Sequence, residues 1–219
     1  KKLLILISLL FIFSESLIFL SGERSAFFFM NLSAFYMLLM LKNYKKLRLI
    51  VLTLSLALIL VIVQIYPSAK NRIVDQTIIQ MNLSSDSSSE KKYVFSKDHE
   101  NLYRTSLLIF KDNVFFGAGV KNFRNFCDDQ KYINSGYASC STHPHNTYLQ
   151  FLSELGIFGL MFILSILFYF IYISISHFLN RFKRKYNKSD FQICMLSAIL
   201  ISLWPFIPTG NIFNNWLCI

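Results

Sequence analysis

The chain has 219 residues, of which 54% are apolar and 23 are phenylalanine, and it carries a formal net charge of +10. A composition so apolar excludes an ordinary water-soluble domain and places the chain in a membrane. Its excess positive charge sits at the ends of apolar runs, so it is a topology signal and gives no reason to expect nucleic-acid binding.

Apolar runs long enough to approach the roughly 20 residues that cross a bilayer lie at 3–20, 26–41, 49–66, 148–176 and 191–207. The second is short and needs its flanks. Lys and Arg are retained on the cytoplasmic side. Lys1 and Lys2 precede the first run. Lys42, Lys45, Lys46 and Arg48 follow the second, and Arg181, Lys183, Arg184, Lys185 and Lys188 follow the fourth. Among these cations stands one acid, Asp190, whereas the stretch 67–147 is nearly balanced and is expected outside the cytoplasm. Three expected regions follow: three transmembrane helices over 1–66, a large outer loop over 67–147, and two helices plus the start of a truncated third over 148–219. The chain begins at Lys1 rather than Met and ends in NNWLCI, where a further apolar segment starts, so it reads as a fragment. Continuously apolar runs without period-two alternation predict an all-α, polytopic helical membrane protein rather than a β-barrel.

In chain order, SGERS (21–25) links the first two spans on the outer side. Arg24 there is a local partner of Glu23, an interfacial anchor or an anion-binding group. Residues 67–83 predict a short amphipathic helix, and SSDSSSE (84–90) a polar linker. Residues 96–112 predict a helix with Ser96 or Asp98 as its cap and Arg104 on it. FFGAGVKNFR (115–124) follows, where Gly117 and Gly119 would let backbone amides approach an anion and Lys121 and Arg124 add charge. Most such stretches are simple turns. Cys127 and Cys140 lie in the outer segment, where an oxidising compartment permits a disulfide; free thiols are the alternative. Cys194 and Cys218 read as small apolar packing groups.

The stretch STHPHNTYLQFLSELGIFGL (141–160) puts polar groups at the mouth of an apolar helix. Pro144 suits a first helical turn, so the fourth span is expected to start near His143 or Pro144, with His145 and Asn146 at its N-terminus. There the helix dipole disfavours imidazolium, leaving His145 neutral and able to accept a proton as a general base. A surface or capping histidine is the bland alternative. Zinc held by His143 and His145 lacks further ligands at metal spacing. Glu154 lies nine residues further on, roughly 14 Å deeper. It needs a buried arginine, its own proton or a water-filled cavity. Gly156 and Gly159 read as close helix contacts.

The ordered set SGERSAF (21–27), Arg104, FFGAGVKNF (115–123) and HPHNTYLQFLSELGIFGL (143–160) resembles the O-antigen ligase and O-antigen polymerase family of bacterial envelope glycosyltransferases. The resemblance implies a GT-C-like helical bundle with one large periplasmic loop, in the bacterial inner membrane. It implies transfer of a glycan from an undecaprenyl-diphosphate carrier to a hydroxyl of lipid A-core, a glycan or a protein, on the periplasmic face. His145 would be the essential histidine and Arg24 and Arg104 the essential arginines, with Gly117, Gly119, Lys121, Asn146, Tyr148 and Glu154 around the substrate. Arginine's planar fork suits a diphosphate leaving group, direct attack with His145 as base implies inversion, and with no acidic metal cluster evident in the outer segment metal-independent chemistry without a cofactor is expected. A chain polymerase and a protein O-oligosaccharyltransferase share these motifs. A polysaccharide or lipid transporter, the rival of another class, would place its polar sites near the midplane of interrupted helices.

Overall fold

A computed structural model describes residues 2–81, 83, 93–132, 140–183, 188–206 and 208–214. The serine-rich linker expected at 84–90, the cations Arg184 and Lys185 and the apolar start at 215–219, with Cys218, lie outside the described residues. Within these, the chain is helical and without strands, as its unbroken apolar runs require. Three helices are long and apolar enough to cross a membrane: α1 (Lys2–Ser21), α3 (Lys45–Ile65) and the spanning part of α9, Thr147–Arg181. Two further apolar helices, α2 (Arg24–Met40) and α10 (Asp190–Ser202), have 17 and 13 residues. The chain divides into two compact units.

The first unit comprises Lys1–Ile79 and Tyr172–Ser202. Its α1 is apolar all round, with only Glu15 and Phe19 buried, as expected of a helix whose solvent is lipid. It stops at Gly22, whose φ of 76° supplies the left-handed turn that ends many helices. The amide of Gly22 donates to the Phe19 carbonyl at 3.1 Å. Pro67 opens α4 (Pro67–Lys70), where its missing N–H costs nothing. A π-helical turn over Asn71–Asp75 and α5 (Gln76–Gln80) continue the same course. This is the helix expected at 67–83. Phe19, Ile59, Ile62 and Ala69 form the core beneath it. Polar groups inside the unit find one another: Glu15 accepts from Ser55, Ser33 meets Ser197 at 2.7 Å, and Tyr36 meets Ser174 at 2.9 Å.

The second unit comprises Gln80–Ile171 and Leu203–Ile219. Helix α6 (Lys97–Asp112) starts at Ser96, whose hydroxyl accepts from the His99 amide at 3.4 Å. Acidic Asp98 and Glu100 in its first turn and Lys111 in its last suit the helix dipole. Its buried residues Leu102, Thr105, Ser106 and Ile109 follow the i, i+3, i+4, i+7 spacing of one helix face. Leu102 and Ile109 pack with Phe123 of α7 (Phe123–Phe126), Cys127 and Tyr132 of α8 (Gln130–Tyr132). A disulfide joins Cys127 to Cys140, with Cα atoms 5.2 Å apart.

Two boundaries differ from expectation. Helix α9 (Thr147–Phe182) begins at Thr147, not at His143 or Pro144, because Asn146 is the cap: its Oδ1 accepts from the amides of Tyr148 at 3.0 Å and Leu149 at 3.1 Å. Helix α10 ends at Ser202 rather than continuing to 207, since Pro205 disfavours helix in the residue before it.

Candidate functional site

The mouth of α9 is built by two segments of the second unit. The first is Ser141–Asn146. The second is the chain after α10, which runs back along the start of α9. The Thr209 amide donates to the His145 carbonyl at 2.9 Å, and the Thr209 carbonyl lies 3.1 Å from His143 Nε2. Asn146 Nδ2 donates to the Pro205 carbonyl at 2.9 Å, and the Tyr148 phenol to the Leu203 carbonyl. Gln150 Nε2 donates to Asn211 Oδ1 at 2.8 Å. These bonds hold His145 at a φ of 55°, a left-handed conformation that non-glycine residues avoid unless their surroundings enforce it.

Three histidines meet there. The rings of His143 and His145 are 4.1 Å apart and those of His99 and His145 5.7 Å. His145 Nε2 lies 3.3 Å from Ser141 Oγ, and His99 Nδ1 lies 2.6 Å from Ser96 Oγ. Burial pushes His145 below its ordinary pKa, and the Thr209 contact offsets this only in part. His143 is lowered too, by burial first and then by the charges of His145 and Arg124, against the Thr209 carbonyl. Both imidazoles are therefore neutral at pH 7. Beside them, burial raises the Tyr103 phenol to about 12, with the Asn146 side chain opposing. The arrangement offers a half-buried, neutral imidazole at a helix mouth, able to accept a proton.

Below this mouth α9 is broken. Gly156 has φ 70° and ψ −158°, outside the helical region. The loop after α6 fills the break: Ala118 N–H donates to the Ser153 carbonyl at 2.8 Å, Gly119 N–H to the Glu154 carbonyl at 2.9 Å, and Ile157 N–H to the Val114 carbonyl at 2.8 Å. A Cβ on Gly117 would overlap the Glu154 backbone, and one on Gly156 the Phe115 carbonyl. Gly156 thus meets a loop, and the close helix contact expected of it is corrected. The anion-binding reading of Gly117 and Gly119 is corrected as well. Their amides donate to the carbonyls of Asn113 and Glu154, so neither is free for a substrate.

The loop does receive a carboxyl group, and it is the protein's own. Glu154, fully buried, accepts from the Phe123 amide at 3.0 Å and from Gln150 Nε2 at 3.1 Å, with the Lys121 amide also directed at it. Lys121 contributes this amide from a left-handed turn of φ 59°. Backbone and side-chain amides are thus the described partners of Glu154, for which the sequence left open an arginine, its own proton or a water-filled cavity.

Residues 7–164 match the family model described as O-antigen ligase, well over half of the chain. The chain belongs to the O-antigen ligase family. No curated protein and no solved structure matches it. Membership carries glycan transfer of the O-antigen ligase or polymerase kind, a lipid-linked glycan donor and a membrane setting.

In this O-antigen ligase family member, the predicted site residues fall in both units. His145, Asn146, Tyr148, Glu154, Gly117, Gly119, Lys121 and Arg104 belong to the second. Arg104 lies on α6, five residues after His99, and is half-buried. Arg24 belongs to the first, exposed at the start of α2, where its Nη1 donates to Thr77 Oγ1 at 3.0 Å. The π-helical turn also brings Arg72 to this link: a Cβ on Gly22 would lie 2.8 Å from Arg72 Nε. Asn146 and Tyr148 spend their polar atoms on the chain itself. Sequence reasoning missed His99, Ser141 and Thr209. For His99 a signal existed, since His99 and Tyr103 share a face of α6 at i, i+4. For Thr209, 62 residues beyond the start of α9, there was none. The described cluster Cys127, Asp128 and Cys140 has the proximity of a metal site, but its two thiols are consumed by the disulfide.

Proposed function

We propose that the chain transfers a glycan from an undecaprenyl-diphosphate carrier to an acceptor hydroxyl, on the periplasmic face of the bacterial inner membrane, with His145 as general base. The observation that carries the reading is a neutral, half-buried His145 at the mouth of α9, within a chain of the O-antigen ligase family. The imidazole takes the proton of the acceptor hydroxyl while its oxygen attacks the anomeric carbon. The bond from that carbon to the diphosphate breaks, and the leaving group departs with the electron pair. One displacement inverts the anomeric centre. Arg104, in the same unit as His145, neutralises the growing charge of the diphosphate, and Arg24 is the other arginine that the family resemblance implies for this role, so that a metal ion is dispensable. Lipid A-core, a second lipid-linked glycan and a protein hydroxyl are the candidate acceptors.

The test is transfer by the protein in membranes from a lipid-diphosphate glycan, comparing wild type with His145→Ala at matched expression and in the presence of a chelator. The expected result is transfer that the chelator leaves intact and the substitution abolishes, with donor binding retained. Full transfer by His145→Ala removes this residue from the chemistry. Absence of transfer by wild type across all three acceptor classes sinks the transferase reading in favour of a transporter.

A further inference from the structure

The loop that fills the break in α9 turns its backbone inward and its largest side chains outward. Phe116 is 80% exposed and Phe115 64%, and Val114 and Val120 are exposed beside them. Internal motion does not explain this exposure, because Gly117, Ala118 and Gly119 each donate a backbone hydrogen bond of 2.8 to 2.9 Å within the unit. Two adjacent exposed phenylalanines on a pinned turn mark a surface made to be covered.

What covers it follows from its neighbours. The Phe116 ring lies 5.8 Å from that of Phe158, and on α9 Phe158, Met161 and Phe162 are all exposed. The apolar face of the loop is therefore continuous with that of a membrane-crossing helix. The spanning segment of α9 has 35 residues, and the helix beyond the break at Gly156 by itself covers about 37 Å at 1.5 Å per residue, whereas a hydrocarbon core is about 30 Å thick. Part of α9 must project beyond the core. Its first turns carry the buried polar groups Thr147, Gln150, Ser153 and Glu154, and its large exposed apolar residues begin at Phe158. The loop thus sits level with the place where α9 leaves the hydrocarbon, the depth at which apolar faces of interfacial segments, phenylalanine among them, are buried.

We propose that Val114, Phe115, Phe116 and Val120 form a wedge that inserts into bilayer lipid at the boundary between headgroups and acyl chains, so that the loop packed on Gly156 and Glu154 is anchored in the membrane. The wedge sets the depth of the α9 mouth. It needs no glycan donor to insert.

The test uses the full chain in vesicles of phosphatidylethanolamine and phosphatidylglycerol, without polyprenyl lipid. A nitroxide is attached through Phe116→Cys in a Cys194→Ser, Cys218→Ser background that keeps the disulfide. Collision rates with oxygen, which partitions into lipid, and with a water-soluble nickel chelate are compared with those at Phe162→Cys and Lys111→Cys. Position 116 should follow 162, with an oxygen-to-nickel ratio several-fold above that at 111. A ratio equal to that at 111 means the loop stands in water and overturns the proposal. Protection from both reagents means that protein covers the patch, a second copy being the simplest cover, and overturns it equally. Because Phe116 is mostly exposed, its replacement removes no core packing. The readout does not depend on transfer activity.

Discussion

His145 combines two costs that a residue without a task would shed. Its left-handed backbone is worth roughly 1–2 kcal/mol of strain for a side chain with a Cβ, and its imidazole is partly stripped of water. Both are sustained by the segment after α10, through Thr209. Desolvation penalises the charged ring, so its pKa falls below the ordinary 6.5 and the base form persists into mildly acidic solution. With His145 as the proposed base, protonation as pH drops would remove the acceptor for the hydroxyl proton, so transfer should fall on the acid side. The lowered pKa moves that fall to lower pH. The acid limb of kcat/KM for glycan transfer should therefore have its midpoint below 6.5. A midpoint at or above that value would mean that the titrating group is solvated, or that it is not His145.

At the scale of elements, the break in α9 and the loop that fills it make one device, and its glycines differ in what they tolerate. Gly119 has a φ of 98° but nothing closer than 3.8 Å to an added Cβ, so Gly119→Ala should cost only the conformational penalty, about 1–2 kcal/mol. Gly117 and Gly156 also face opposing backbone, which cannot rotate away as a side chain can. Gly117→Ala or Gly156→Ala should each exceed roughly 4 kcal/mol, the range of severe core lesions. Thermal unfolding of the detergent-solubilised protein should rank Gly119→Ala near wild type and the other two far below. Equal shifts for all three would show that the loop yields. The same device shows where sequence reasoning stops. Helices α1 and α3 were legible because unbroken apolarity reports the solvent directly, and α6 because its cap, Ser96, is a local signal. The non-helical Gly156 was not legible, since its conformation answers to Phe115, forty-one residues earlier. Nor was the partner of Glu154, because a carboxylate inside an apolar run does not reveal which amides will reach it. The return of the chain after Ser202 was hidden inside an apolar run that reads as span up to 207, although Pro205 and Pro208 were there to be weighed. The site's residue types were visible, whereas the second layer of His99, Ser141 and Thr209 depends on tertiary docking.

For the molecule as a whole, charge placement is the quantity that the membrane reads. Lys42 lies between α2 and α3 and Lys45, Lys46 and Arg48 in the first turn of α3, while Arg181 lies in the last turn of α9 and Lys183 and Lys188 between α9 and α10. Translocating such clusters is disfavoured, whereas the segment from Pro67 to Asn146, with near balance of charge and a disulfide, suits an oxidising exterior. The two arguments are independent, one electrostatic and one redox, and they agree on orientation. A single cysteine introduced by Lys111→Cys, in the Cys194→Ser, Cys218→Ser background, should react with a membrane-impermeant maleimide in cells whose outer barrier alone has been opened. One introduced by Lys183→Cys should react only after the inner membrane is permeabilised. The reverse pattern would put the His145 mouth in the cytoplasm, away from any donor on the outer leaflet. Reaction at both positions before permeabilisation would mean that the loop between α9 and α10 is also exported, against the five basic residues Arg181, Lys183, Arg184, Lys185 and Lys188.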